Sequence, residues 1–574
     1  MKKINYSSTN TIIGIIVALF SFGIFTLTVE PTASYWDCAE YISTSAKLQV
    51  GHPPGAPLFQ MLGAIFSTFA FESDKIALSV NMMSVTSSAL TILFLFWSIS
   101  HLIKQQGELN EDRISINEAF KIFGSSILGC LTFTFTDSFW FNAVEAEVYA
   151  MATLILSLLF WLGLKWVNNL DSERGDKWLI LICFVIGLSF GVHFMGLLAI
   201  PAIGLLYYFK KYSFSIKSFL LANIVSISIL LFIFKLLLPS TLSIFGYIEV
   251  FFVNEIGLPF NFGTIFSAIS MILLIYYILN RSQRKKQYLV NTLTLCVTFI
   301  FIGFSSWLMI PIRSNANTVI NENAPSDARS LLAYYNLEQY PDTYLFKGPM
   351  FSDIYAGQDE DEPYRNDKPK YERDYKKNKY IIVNDWEKGK LNNNRKHVGF
   401  FPRMWSSENA VNYLKFTGFL DFSIKKEFNN QEQLAQIVNQ FKSNIDSNDV
   451  STDEYHQFLS SYGSYLDINK PSLISNFKYF LLFQVNKMYF RYFLWNFAGR
   501  QNDMQWRGGT ENGNWLSGIN FIDEYRLGPQ KNLPTDLKNN KARNTYYFIP
   551  LILGLIGLIF LIVSLTLSLL SILY

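Results

Sequence analysis

The sequence has 574 residues, half of them hydrophobic and 17% aromatic, and only 16% carry charge; soluble domains carry about 25%, so a soluble globular enzyme is excluded. The formal net charge of +3, from 48 Lys+Arg against 45 Asp+Glu, lacks the clustered basic face that nucleic acid requires and excludes DNA or RNA as a partner. Of the four cysteines, Cys130, Cys183 and Cys296 fall inside apolar runs and Cys38 stands apart, which leaves no disulfide framework.

A bilayer core needs about 20 apolar residues per helix. Runs that meet this requirement lie at 11–29, 76–99, 119–135, 148–166, 219–238, 260–279, 289–311 and 546–570. Residues 178–209 are too long for one upright span and are interrupted by Gly187, Gly191, Gly196 and Pro201. Cationic loop residues mark the cytoplasmic side. Placing Lys2/Lys3, Arg174/Lys177, Lys210/Lys211 and Arg281 to Lys286 on that side makes 178–209 two short helices that turn near His193. The expectation is a polytopic α-helical membrane protein of about ten spans. Outer loops fall at 30–74, 137–147, around 193, at 239–259 and at 313–545, and the second and fourth contain no Lys or Arg. The first run follows Lys2 and Lys3 as a signal peptide would, but its 19 residues exceed a signal core and read as a retained anchor.

Residues 313–545 carry 30 of the 48 Lys+Arg, with charge clusters at 359–362 and 373–379 and aromatic runs such as "MYFRYFLWNF". They predict a soluble outer domain, mainly α or α+β, that can bury a core. The expected division is a membrane module at 1–312, the soluble domain at 313–545 and a last span within 546–574. No Asn in 313–545 begins an N-x-[ST] sequon, which favours a bacterial periplasm over a glycosylating lumen.

The first outer loop reads "EPTASYWDCAEYISTSAKLQVGHPPGAPLFQMLGAIF". Asp37 and Glu40, three apart, project from one helical face, and "GHPPGAP" forces a turn before a second, amphipathic, membrane-lying helix. A lone D-x-x-E pair often only solvates a loop, but this one has company on its side of the membrane. Glu145 and Glu147 enter the fourth run without a countercharge, placed either to cap a helix or to hold a divalent cation or a polar acceptor. His52 in the turn and His193 at the tip of the helix pair share that face. Arg313 and Arg329 follow the ninth helix, where an arginine can clamp phosphate or snorkel to headgroups.

Several stretches, "EPTASYWDCAEYI", "VGHPPGAPLF", "FWFNAVEAEVYA", "IRSNANTVINENAPSD" and "RYFLWNFAGRQND", resemble the GT-C superfamily of membrane glycosyltransferases. Within it they are similar to a bacterial multi-pass family long catalogued as a domain of unknown function, whose animal relative is a transmembrane protein O-mannosyltransferase. The resemblance implies inverting transfer of a mannose-like sugar from a polyprenyl-phosphate donor to a hydroxyl of an exported protein or a glycolipid. It also implies a bacterial inner-membrane location with the site facing the periplasm. Asp37 is then the catalytic base with Glu40 beside it. His52, Glu145, Glu147, His193, Arg313 and Arg329 would bind acceptor or donor, a divalent cation at Glu145 and Glu147 being the one cofactor to consider. In one respect the chain departs from the resemblance: family members continue with more helices and a further outer domain, whereas this sequence stops at Tyr574 at the end of an apolar run. A lipid-linked glycan transporter or a non-catalytic export scaffold is the rival reading, in which intramembrane acids line a path; the absence of internal repeats and the surface depth of the acids argue for chemistry.

Overall fold

The computed structural model describes residues 3–573 except 108–111, 341–343, 345–346, 360, 384–386 and 507, with side chains to 563; Lys2, Glu360 and Tyr574 thus lie outside the described residues. The chain divides into two compact units, Met1–Pro341 with Tyr371–Ile381, and Asp342–Lys370 with Ile382–Tyr574.

The first unit begins with strand β1 (Lys3–Asn5), which pairs antiparallel with β2 (Arg113–Ser115). Helix α1 (Tyr6–Leu27) starts from Asn5, whose Oδ1 accepts the Ser8 N–H at 2.8 Å, as an N-cap should. Ser115 and Glu118 form a capping box at the start of α5 (Ile116–Thr134). The amphipathic pair α2 (Cys38–Lys47) and α3 (Pro57–Ser67) lies between α1 and the long α4 (Ile76–Gln106). After α5 come α6 (Asp137–Ala143), α7 (Val148–Asn168), α8 (Asp176–Ser189) and α9 (Ala199–Lys211). Next are α10 (Ile216–Leu231), α11 (Leu238–Asn254), α12 (Phe262–Arg284), α13 (Tyr288–Phe304), α14 (Met309–Ser314) and α15 (Ala328–Tyr335).

All ten apolar runs are helical. Among the described residues seven helical stretches are long and apolar enough to cross a membrane, or eight when α5 and α6, bent by 69°, count as one. The other two runs are α8 and Ile549–Leu573; α8 has 14 residues and at about 1.5 Å per residue falls short of a bilayer core. Two local expectations change. The segment 239–259, expected as an outer loop, is mostly helix α11. It joins α10 through the π-helical turn Phe232–Leu237 into one stretch of 39 residues, about 58 Å long. Pro239 removes a backbone donor there, beside the widened turn that relaxes the ladder. Gly187, expected to interrupt 178–209, lies inside α8 and serves packing. A Cβ on it would sit 2.2 Å from the Ile300 carbonyl of α13, and one on Gly303 2.3 Å from that of Phe184, so the two backbones touch as only small residues allow.

The hairpin Tyr371–Ile381 belongs to the first unit. Asn254 at the end of α11 exchanges hydrogen bonds with the Tyr380 backbone at 2.8 and 2.9 Å. Glu249, fully buried, accepts the N–H groups of Asn261 and Thr264 and the Tyr380 hydroxyl at 2.6, 2.9 and 3.1 Å. This carboxylate is an internal bracket between α11, α12 and the hairpin.

The second unit packs short helices and strands around Phe351, Met404, Leu414, Tyr455 and Leu459, with Phe422–Ile424 antiparallel to Leu466–Ile468. Its asparagines close loops from inside: buried Asn502 and Asn514 bond to the 509–513 backbone and to Gln501.

Candidate active site in the first long loop

Loop 28–37 is held down before α2 begins. Asn81 of α4, fully buried, donates to the carbonyls of Glu30 and Thr32 at 2.6 and 2.9 Å, and the Glu30 N–H donates to the Val144 carbonyl at 3.0 Å. Asp37 is the N-cap residue of α2 without a side-chain cap bond, which leaves its carboxylate free for other work; its side chain is 56% exposed. Glu40 follows in the first turn. As a result the two acids stand on one side of α2, as their spacing predicts.

The turn after α2 brings His52 back onto Glu40. The Glu40 carboxylate accepts the His52 backbone N–H at 2.6 Å and the Nδ1–H at 2.9 Å, because a carboxylate can only accept. His52 Nε2 then faces Asp37 Oδ2 at 3.8 Å. The approach requires glycine at 51, where a Cβ would lie 2.5 Å from Glu40 Oε1. The Glu40 hydrogen bond raises the His52 pKa. Burial pushes Glu40 upward, but the two bonds and the charge of His52 outweigh it and hold the carboxyl below its ordinary value.

Glu145 and Glu147 are buried at 4% and 6% exposure. Neither caps α7: Glu147 is the N-cap residue but makes no side-chain cap bond. Glu145 accepts the Ser34 hydroxyl at 2.6 Å. Glu147 accepts the Asp37 N–H at 3.2 Å and the Cys38 thiol at 3.7 Å. Burial, then the charges of Asp37 and Glu145, push Glu147 up to about 7; burial raises Glu145 as well. Cys38, pushed up to about 12 chiefly by burial, is a hydrogen-bond donor rather than a nucleophile. The sequence sets Cys38 apart from the other cysteines but gives neither it nor Ser34 a role; the one signal is their position one after and three before Asp37.

The structure separates the remaining residues. His193 caps the 3-10 turn Phe194–Leu198, its Nδ1 accepting the Met195 N–H at 3.1 Å, and its ring lies 5.5 Å from that of Tyr149, two residues past Glu147. It borders the cluster without touching the acids. Arg313 lies behind α2. Its Nε donates to the Leu48 carbonyl at 2.5 Å and its Nη2 to that of Lys47 at 3.3 Å, supplying the partners that helix-end carbonyls lack. Tyr334, buried, donates to Gly51 and His52 carbonyls at 2.6 and 3.1 Å, and Val50 bridges in parallel to Asn321. Segment 313–335 thus braces the turn that carries His52. Arg329 stands elsewhere, its guanidinium 3.9 Å from the Tyr371 ring centroid and 5.5 Å from that of Tyr247.

Besides the expected Glu145 and Glu147, a second set is placed to hold a cation. One ligand atom each from Asp37, Glu40 and His52 lie within 4.8 Å of one another, a mixed oxygen and nitrogen set that suits zinc or manganese. Glu145 and Glu147 are outside that set and already accept hydrogen bonds. Because Glu40 engages His52 Nδ1, only Nε2 is open to an ion.

Residues 37–216 match the family described as Protein O-mannosyl-transferase TMEM260 N-terminal domain, and residues 341–481 match a family of unknown function (DUF8416). Among curated proteins, the chain is similar to Protein O-mannosyl-transferase TMEM260 of Mus musculus, 27% identical over 178 residues, 30% of this chain and 22% of that protein. It is similar also to Protein O-mannosyl-transferase tmem260 of Dictyostelium discoideum, 25% identical over 154 residues, 26% of this chain and 17% of that protein. The chain therefore covers about a fifth of these relatives, and through that segment it is related to them. No solved structure matches. The matched segment begins at Asp37 and contains Glu40, His52, Glu145, Glu147 and His193; Arg313 and Arg329 fall outside it.

Proposed function

Starting from this kinship over residues 37–216, we propose that the chain is a membrane glycosyltransferase that acts on proteins. It moves a mannose-like sugar from a polyprenyl phosphate to a Ser or Thr hydroxyl of an exported protein. The observation that carries the reading is the exposed Asp37 carboxylate facing an imidazole that Glu40 holds in one orientation. A hydroxyl nucleophile needs a base aligned with the anomeric carbon, and this is the group free to serve. The acceptor oxygen forms a bond to the anomeric carbon as the bond from that carbon to the phosphate oxygen breaks. The hydroxyl proton goes to Asp37, and the lipid phosphate leaves as an anion that needs no acid. Attack opposite the leaving group inverts the centre.

His52, oriented by Glu40, steadies the Asp37 charge through Nε2. Glu145 and Glu147, through Ser34 and the Asp37 N–H, position the loop. His193 with Tyr149 borders the acceptor. Arg313 meets the donor phosphate with the guanidinium hydrogens not used on α2, while Arg329 stands apart against Tyr371 and Tyr247. The site faces the periplasm of a bacterial inner membrane, consistent with segment 137–147 beside it lacking Lys and Arg.

The test is incubation of the purified protein with a panel of polyprenyl-phosphate sugars and Ser/Thr-bearing acceptor polypeptides, reading the mass added. Transfer by the native chain and none by Asp37→Asn is expected. No transfer from any donor, with the protein folded, would return the chain to the transporter or scaffold reading.

A further inference from the structure

The helices that present the acids at one end enclose a second feature at the other. The site lies past the C-terminus of α1 and before the N-termini of α4 and α7. The opposite ends of these three helices surround a cavity of about 280 Å³, lined among others by Tyr6, Asn10, Trp97, His101, Trp161 and Lys165. Among the described residues no acidic one lines it.

The Ser7 and Thr11 hydroxyls already donate to Asp112 and to the Ser7 carbonyl, so among the described residues the donors it offers are the unpartnered Trp97 indole N–H and the Lys165 ammonium. Asn10 Oδ1 already accepts the Ser100 hydroxyl at 2.7 Å. Gln105 Nε2 donates to Asn168 Oδ1 at 3.3 Å, which turns the Asn168 amide nitrogen to His101 Nε2. Lys165 Nζ stands 5.3 Å from the Trp161 ring centroid, and among the described residues no carboxylate pairs with it. Lys104 Nζ sits 4.3 Å above the Tyr6 ring that forms one wall. Lys104 is balanced by Asp112, whose carboxylate accepts the N–H and hydroxyl of the lining residue Ser7, which leaves the Lys165 ammonium, inside a small aromatic-walled hollow, as the cation without an anion among the described residues.

We propose that this cavity binds the phosphate headgroup of an anionic membrane lipid. Its depth selects the lipid over a soluble anion. The cavity sits where membrane-spanning helices end, and Ile12, next to the lining residue Thr11, is 58% exposed, so the surface that meets acyl chains begins beside it. Ring walls with basic groups at that depth are the composition that holds lipid headgroups.

The full chain is reconstituted in phosphatidylcholine nanodiscs with a rising fraction of phosphatidylglycerol, and lipid co-retained after detergent extraction is counted by native mass spectrometry. Selective retention of phosphatidylglycerol is expected, reduced about fivefold by Lys165→Gln, the scale of one lysine near an anionic surface. Lys121→Gln, an exposed cation on α5, should leave it unchanged. Should Lys165→Gln not fold, His101→Gln, at a second lining residue, is read in the same way. Equal retention of both lipids, an equal loss with Lys121→Gln, or stabilisation in detergent by inorganic phosphate but not by phosphatidylglycerol would each overturn the proposal.

Discussion

Glu40 grips His52 twice, at the backbone N–H and at Nδ1, 2.6 and 2.9 Å away, and this decides which imidazole nitrogen faces Asp37. The pair gives stability in a defined pH window. The His52 pKa is raised in the folded chain, so its contribution is complete below the ordinary histidine value and is lost as pH rises through the folded one. The Glu40 pKa is lowered, so its contribution is complete above the ordinary carboxyl value and is lost as pH falls through the folded one. The two overlap between about pH 4.5 and 6.5. Glu40→Gln should therefore cost most there, about 1.5–3 kcal/mol for hydrogen bonds to charged groups. Thermal melting of both proteins from pH 4 to 9 checks it; a constant difference would show that the pair is not ionised.

Asp37→Asn should lower transfer by about 10²- to 10⁴-fold and leave melting unchanged, because its side chain is more than half exposed and caps nothing. Single-turnover rates on a defined donor give the answer. Normal turnover would move the base to His52.

Arg313→Lys separates bracing from phosphate binding. Lysine keeps the charge but cannot span two carbonyls as the fork of Nε and Nη2 does. If bracing dominates, melting and kcat fall while the donor KM holds. A raised donor KM with unchanged melting would give Arg313 to the phosphate.

Glu147 has the opposite linkage. With its pKa near 7 in the fold and about 4.3 in the unfolded chain, it binds its proton longer when folded. It therefore removes stability as pH rises from about 4.3 to 7. Glu147→Gln should stabilise the protein at pH 8 relative to pH 5, by on the order of 3 kcal/mol. Melting at the two pH values tests this; no pH dependence would mean that the Asp37 N–H and Cys38 compensate its charge fully.

The sequence alone determined what depends on neighbours along the chain. Apolar runs set ten helices because hydropathy is a local sum, the spacing of Asp37 and Glu40 set their common face, and "GHPPGAP" set the turn into α3. Only the tertiary structure decided who meets whom. Ser34 reaches Glu145 across 111 positions and Arg313 reaches Leu48 across 265, so one apparent helix cap became an acceptor and the arginine read as a phosphate clamp also braces α2. Glu249 lies in a segment expected as a loop, and its partners, Asn261, Thr264 and Tyr380, gather only when the hairpin docks. A buried carboxylate needs donors from several elements at once, and no window of sequence contains them.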